Sequence, residues 1–166
     1  KYNGRYYKVQ KIGRAAFQDN QSIQKLWISE NIKEIDNQAF ARCTNLTAVN
    51  FTGTSKLQTI GTSAFYGDTA LKEIIIPADV ETIGMNAFRE CAGLESVDLT
   101  NADKLTTINS SVFYEDAALK NITIPKNVES IDDNAFAGCK SITEIYFSGD
   151  GKLKSIGNSA FSKTGI

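Results

Sequence analysis

The sequence predicts a solenoid of about seven stacked repeat units, each laying a short parallel strand on one face, and three observations carry that prediction. Phenylalanine recurs at positions 17, 40, 65, 88, 113, 136 and 161, at intervals that alternate between 23 and 25 residues. Each Phe follows an isoleucine by five residues, at Ile12, Ile35, Ile60, Ile83, Ile108, Ile131 and Ile156, and each follows Ala directly except at Val112. Six residues after each of the first six Phe comes Ile23, Leu46, Leu71, Leu94, Leu119 or Ile142. Self-similarity at a fixed period of this size marks a repeat architecture, because a unit of some two dozen residues cannot bury its own apolar edge and must stack on its neighbours.

The strand of each unit follows from the next apolar pair: Leu26 and Ile28, Val49 and Phe51, Ile74 and Ile76, Val97 and Leu99, Ile122 and Ile124, Ile145 and Phe147. Two apolar residues flanking one variable residue give the period-2 pattern of a half-buried strand. The 23/25 alternation defines a double repeat of 48. Units containing Phe40, Phe88 and Phe136 end in a longer polar turn, Thr52 to Lys56, Thr100 to Lys104 and Ser148 to Lys152, before Leu57, Leu105 or Leu153. Units containing Phe65 and Phe113 close with Ile76-Pro77 and Ile124-Pro125, and a proline without an amide donor marks the end of a strand. One obvious strand per unit favours a leucine-rich solenoid over a parallel β-helix, although Val80-x-x-Ile83 and Val128-x-x-Ile131 offer short second strands on the opposite side.

The motif running from Ile83 to Cys91 and on to Leu94, Val97 and Leu99, repeated from Ile131 to Cys139 and on to Ile142, Ile145 and Phe147, resembles the BspA-like leucine-rich repeat proteins, a bacterial surface family also found in some protists. The resemblance covers nearly the whole chain. It implies an extracellular or cell-surface location and a role in adhesion or recognition, without naming a ligand. Family members are usually longer, and the final unit stops at Ile166 before its strand, so residues 1–166 are expected to be one domain within a longer protein. Residues 1–10 are expected to form a partial unit or cap and 11–166 the repeats.

Composition narrows the function classes. The chain has 166 residues, 18 Lys and Arg against 19 Asp and Glu, and a net charge of -1, which gives no electrostatic basis for binding nucleic acid or an anionic membrane. No apolar run approaches the ~20 residues that cross a bilayer, so no membrane insertion is expected. The N-terminus carries no signal pattern. There is no His, which removes the commonest general base and a common metal ligand. Ser63, Ser110, Ser111 and Ser159 sit at repeat turns, and the acidic pairs Glu34 and Asp36, Asp98 and Asp103, and Asp132 and Asp133 read as solvated surface. No enzyme activity, cofactor or metal is expected.

Cys43, Cys91 and Cys139 fall three residues after Phe in alternate units. Stacked strands lie ~4.8 Å apart, so cysteines two units apart are too distant for a disulfide or a shared zinc, and they read as packed free thiols. Asn20, Asp68, Asp116 and Thr164 hold the same position in the other units and are expected to cap backbone amides at a tight corner. Gly13, Gly61, Gly84 and Gly157, replaced elsewhere by Asp36, Asn109 and Asp132, mark a turn after each Ile; these residue types share a tolerance for positive φ.

The candidate binding face consists of the outward residues of the strands. One row is Trp27, Asn50, Ile75, Asp98, Thr123 and Tyr146; the other is Lys25, Ala48, Glu73, Ser96, Asn121 and Glu144. From these the expected binding set is Lys25, Trp27, Asn50, Glu73, Ile75, Asp98, Thr123, Glu144 and Tyr146. Trp27, Ile75 and Tyr146 are its anchors, because exposed large side chains in a polar row mark interfaces. The expected partner is an extracellular protein or glycan; the alternative is a spacer that binds nothing itself. The chain is expected to be a monomer, with end-to-end stacking available through its last unit. Five Asn-x-Ser/Thr triplets, at Asn20, Asn45, Asn50, Asn109 and Asn121, would matter only in a eukaryotic secreted protein.

Overall fold

The computed structural model describes residues 8–149 and 151–166, so most of the expected N-terminal partial unit, residues 1–7, lies outside the described residues. Thirteen strands and no helix occur among the described residues. The even-numbered strands are the ones foreseen from the apolar pairs: β2 (Lys25–Ile28), β4 (Ala48–Phe51), β6 (Glu73–Ile75), β8 (Ser96–Asp98), β10 (Asn121–Ile124) and β12 (Glu144–Phe147). The odd-numbered strands are two residues long and end on the recurrent Ile: β1 (Lys11–Ile12), β3 (Glu34–Ile35), β5 (Thr59–Ile60), β7 (Thr82–Ile83), β9 (Thr107–Ile108), β11 (Ser130–Ile131) and β13 (Ser155–Ile156). The second strand expected in two units is therefore present in all seven, and the chain is a parallel β-solenoid with leucine-rich repeat spacing.

The phenylalanines form the spine. Consecutive rings from Phe17 to Phe161 stack with centroids 5.2–5.6 Å apart and planes within 15° of parallel. Phe40, Phe65, Phe88, Phe113 and Phe136 are fully buried among the recurrent Ile, Leu and Ala rows. Burying one such side chain contributes roughly 1.5–3 kcal/mol, so the five interior rings form a continuous part of the apolar stabilisation alongside the Ile, Leu and Val rows.

Between the two strand ladders lies the Phe segment, where backbone geometry departs from expectation. The residues two before and two after every Phe adopt the left-handed conformation: Ala15 and Asp19, Gln38 and Arg42, Ser63 and Gly67, and so on to Ser159 and Lys163, with φ between 52° and 80°. Twelve of the fourteen are not glycine, a conformation that costs an L-residue roughly 1–2 kcal/mol. The compensation lies in the neighbouring unit. Left-handed residues turn their amides along the solenoid axis, so that Ala15, Phe17 and Asp19 donate to the carbonyls of Asn37, Ala39 and Ala41 at 2.7–3.0 Å, while Ala16, Gln18 and Asn20 close local turns.

The recurrent glycines answer to a different constraint from the one expected. None of Gly13, Gly61, Gly84 and Gly157 has positive φ. Instead, a Cβ on Gly61, Gly84 or Gly157 would sit 2.5–2.6 Å from a backbone nitrogen of the preceding unit. Where Asn109 replaces glycine and Val112 replaces alanine, the stack opens. The amide that follows Ile in other units donates to the previous Ile carbonyl, but here the Asn109 side-chain Nδ2 donates to Ile83 O at 2.7 Å, β7 and β9 do not pair, and the Phe88–Phe113 spacing of 5.6 Å is the widest.

The long-strand face is also interrupted. Its strands pair only as β2–β4, β6–β8 and β10–β12. In the first and last pairs the amide after the second strand, Thr52 or Ser148, donates to Ile28 O or Ile124 O. At the two junctions where the ladder parts, β4–β6 and β8–β10, the equivalent residues are Pro77 and Pro125, which have no N–H to offer the carbonyls of Phe51 and Leu99.

Candidate binding face

The structure places all nine expected binding residues on the long strands: Lys25 and Trp27 on β2, Asn50 on β4, Glu73 and Ile75 on β6, Asp98 on β8, Thr123 on β10, and Glu144 and Tyr146 on β12. Pairing brings some of them side by side, Trp27 with Asn50, Ile75 with Asp98, and Thr123 with Tyr146. Trp27 is 64% exposed, Ile75 59% and Tyr146 50%. The anchors are spread along the stack: Trp27 and Ile75 lie two unit steps apart, and Tyr146 lies three further on, each step being 5.2–5.6 Å in the Phe spine.

Several residues of the row are engaged within the chain. Asp98 is half-buried, and its Oδ1 accepts the Thr100 amide at 2.8 Å. Thr123 is half-buried. Asn50 Nδ2 donates to Leu26 O. Tyr146 Oη donates to Glu144, and that hydrogen bond raises the phenol pKa above its ordinary value. Lys25, Trp27, Glu73 and Ile75 remain exposed.

The parting of β4 from β6 creates a cleft of about 420 Å³ on this face. Asn50, Glu73 and Ile75 from the expected set line it, joined by Phe51, Thr54, Pro77 and Asn101, which sequence reasoning did not place among the binding residues. The available signal was Pro77 itself: a missing donor at the end of a strand implies a missing bond to the strand before it. A second variable row was also passed over. One residue after Phe65, Phe88 and Phe113 stand Tyr66, Arg89 and Tyr114, where Arg89 lies 4.6 Å over the Tyr114 ring and Tyr66 Oη donates to Glu90 at 2.9 Å.

The remaining chemistry-bearing residues are accounted for by the fold. Cys43, Cys91 and Cys139 are buried free thiols whose Sγ donate to Phe17, Phe65 and Phe113 carbonyls. Burial pushes the Cys43 thiol up to about 11 and raises the other two well above the ordinary thiol value, so none is a nucleophile near neutrality. Asp68 and Asp116 cap the amides of Cys43 and Cys91, and Asn20 caps those of Ser22 and Ile23, as expected of that position. Thr164 differs, its hydroxyl donating to Phe161 O instead. Glu34 and Asp36 both pair with Lys11, Asp103 pairs with Lys126, and Asp133 accepts the Asn158 amide. No group of three or more potential metal ligands occurs among the described residues, and no helix there is long and apolar enough to cross a membrane.

The model of the BspA type leucine rich repeat region matches residues 6–91 and 58–166, with 6 copies of the repeat. Similar solved structures include a leucine-rich repeat protein from Bacteroides ovatus, 31% identical with a TM-score of 0.71, aligned over 100% of this chain and 48% of its own. A leucine-rich repeat protein from Eubacterium ventriosum is 26% identical with a TM-score of 0.62, over 86% of this chain and 43% of its own. A leucine rich cell surface protein from Faecalibacterium prausnitzii, 24% identical with a TM-score of 0.61 over 90% of this chain and 46% of its own, shares the fold. The chain thus spans about half the length of each of these structures. No curated protein matches the sequence significantly. With its repeat model matched from residue 6 to residue 166 and its stacked Phe spine, the chain belongs to the BspA-type leucine-rich repeat family.

Proposed function

We propose that this chain is a non-enzymatic recognition module of a cell-surface or secreted protein, binding an extracellular protein or glycan through its long-strand face as a monomer. The observation that carries the reading is the contrast between a regular interior and an irregular exterior on the same strands. The long strands from β2 to β10 bury their apolar pairs fully or partly, with Phe147 of β12 exposed, whereas the outward row changes from Trp27 to Asn50, Ile75, Asp98, Thr123 and Tyr146 and leaves three large side chains at least half exposed. Exposed aromatic and aliphatic residues in a polar row supply anchor area that the fold itself does not need. The surface location rests on the family.

The test is a binding screen of the purified chain against extracellular-matrix proteins and a glycan array, beside a variant with Trp27, Ile75 and Tyr146 changed to Ser. Saturable binding that is lost in the variant, with melting unchanged, locates recognition on this face. The absence of binding by either form favours a spacer, a reading supported by Asp98 and Asn50 being tied to their own backbone neighbourhood.

A further inference from the structure

We propose that the cleft between β4 and β6 is a binding site for an uncharged oligosaccharide, an inference that rests on the recognition reading above and names its ligand class. The cleft lies where β4 and β6 do not pair and where Pro77 has no N–H to offer the Phe51 carbonyl. Its volume of about 420 Å³ falls within the ~300–1,000 Å³ of small-molecule sites.

The lining selects the ligand by its chemistry. Ile75, Pro77 and half-buried Phe51 give an apolar surface, the kind of wall that takes the C–H face of a pyranose ring. Around it stand the carboxamides of Asn50 and Asn101, the Thr54 hydroxyl and the Glu73 carboxylate. The Glu30 carboxylate adds a further acceptor at the rim, its Oε2 3.0 Å from where a Cβ on Gly53 would lie. The Phe51 carbonyl, which Pro77 cannot reach, is one more. No Lys or Arg lines the cleft, so an anionic ligand finds no countercharge. Acceptors predominate, so the ligand must bring donors. Vicinal hydroxyls on a ring with apolar faces satisfy both walls together. Trp27, two unit steps from Ile75 in the same outward row and 64% exposed, offers a stacking platform for a ring further along an extended chain. A basic peptide would also bring donors, and its dependence on salt and on Glu73 separates it from an uncharged saccharide in the titration.

The experiment is calorimetric titration of the chain with uncharged tri- to hexasaccharides of glucose, galactose, mannose and N-acetylglucosamine, and with a lysine-rich decapeptide, each at low and high salt. Ala78→Trp fills the cleft from an exposed position, Asn50→Ala removes a rim amide, and Glu73→Gln removes the charge; a melting curve for each variant verifies the fold. The expected result is saturable binding of at least one saccharide, insensitive to salt, weakened by about tenfold or more in Ala78→Trp and less in Asn50→Ala. Three results would overturn the proposal: no saccharide bound by the unaltered chain, saccharide binding that survives Ala78→Trp, or binding of the peptide alone that salt and Glu73→Gln abolish. If no saccharide binds while a matrix protein does, and the triple Ser variant loses that protein, the cleft inference fails and the recognition face stands.

Discussion

The carboxyl group of Asp68 reaches back one unit to accept the Cys43 amide through Oδ1 at 2.8 Å, while its Oδ2 is buried with no partner. Asp116 repeats the arrangement on Cys91 at 2.9 Å. Neither has a countercharge beside it. Burial pushes the Asp68 carboxyl up to about 9, against one opposing amide bond, and pushes Asp116 well above the ordinary range.

Stability is therefore expected to fall with rising pH. Both groups are neutral in the folded chain and ionised in the unfolded chain above the ordinary value of 3.8. The Asp68 contribution is fully present below about pH 4 and is lost progressively as pH rises toward about 9, at a limiting slope on the order of 1 kcal/mol per pH unit, and the Asp116 contribution is lost with rising pH in the same sense. Thermal melts from pH 4 to 9 test this, and Asp68→Asn with Asp116→Asn should flatten the slope. An unchanged slope in the double variant would show that other groups carry it.

Phe88→Ala should cost about 3–5 kcal/mol in chemical denaturation, because the ring is fully buried between Phe65 and Phe113. Phe17→Ala should cost less than half as much, since Phe17 is 40% exposed and has one described stacking neighbour. Equal losses would mean that stacking along the spine is not what holds the units together.

Two glycines at the same repeat position should respond differently to alanine. At Gly84 the new Cβ lies 2.5 Å from the Thr62 backbone nitrogen, and overpacking of this kind costs about 1–3 kcal/mol. At Gly13 nothing among the described residues lies within 4 Å, and the melting temperature should hold or rise slightly. Similar destabilisation of both would point to a backbone requirement in place of close approach.

Pro77→Ala restores a donor opposite the Phe51 carbonyl. The expected outcome is a slowly exchanging amide at residue 77 by hydrogen–deuterium exchange, as the β4–β6 junction closes. Fast exchange there would show that the ladder is broken by something other than the missing N–H.

The sequence by itself determined the period, the Phe spine and the identity of the buried rows, because stacking forces each unit to repeat the contacts of the one before it, and repetition is visible in a single chain. It also placed all nine outward residues on the long strands, since period-2 alternation assigns faces without knowledge of neighbours. Only the tertiary structure decided the rest, and in each case the deciding contact lies in the neighbouring unit. The left-handed residues flanking each Phe vary from Ala15 to Asp19, Gln38 and Lys163, so no residue type announces them; the amide bonds that hold them there go to the adjacent unit. Gly84 looks like a turn glycine until the Thr62 backbone is seen against it. The cleft at β4 and β6 required knowing that the amide which Pro77 lacks would have pointed at Phe51. The outward residues divide for the same reason: whether Asn50 faces a ligand or the Leu26 carbonyl depends on a bond to the neighbouring unit that spacing along the chain does not encode.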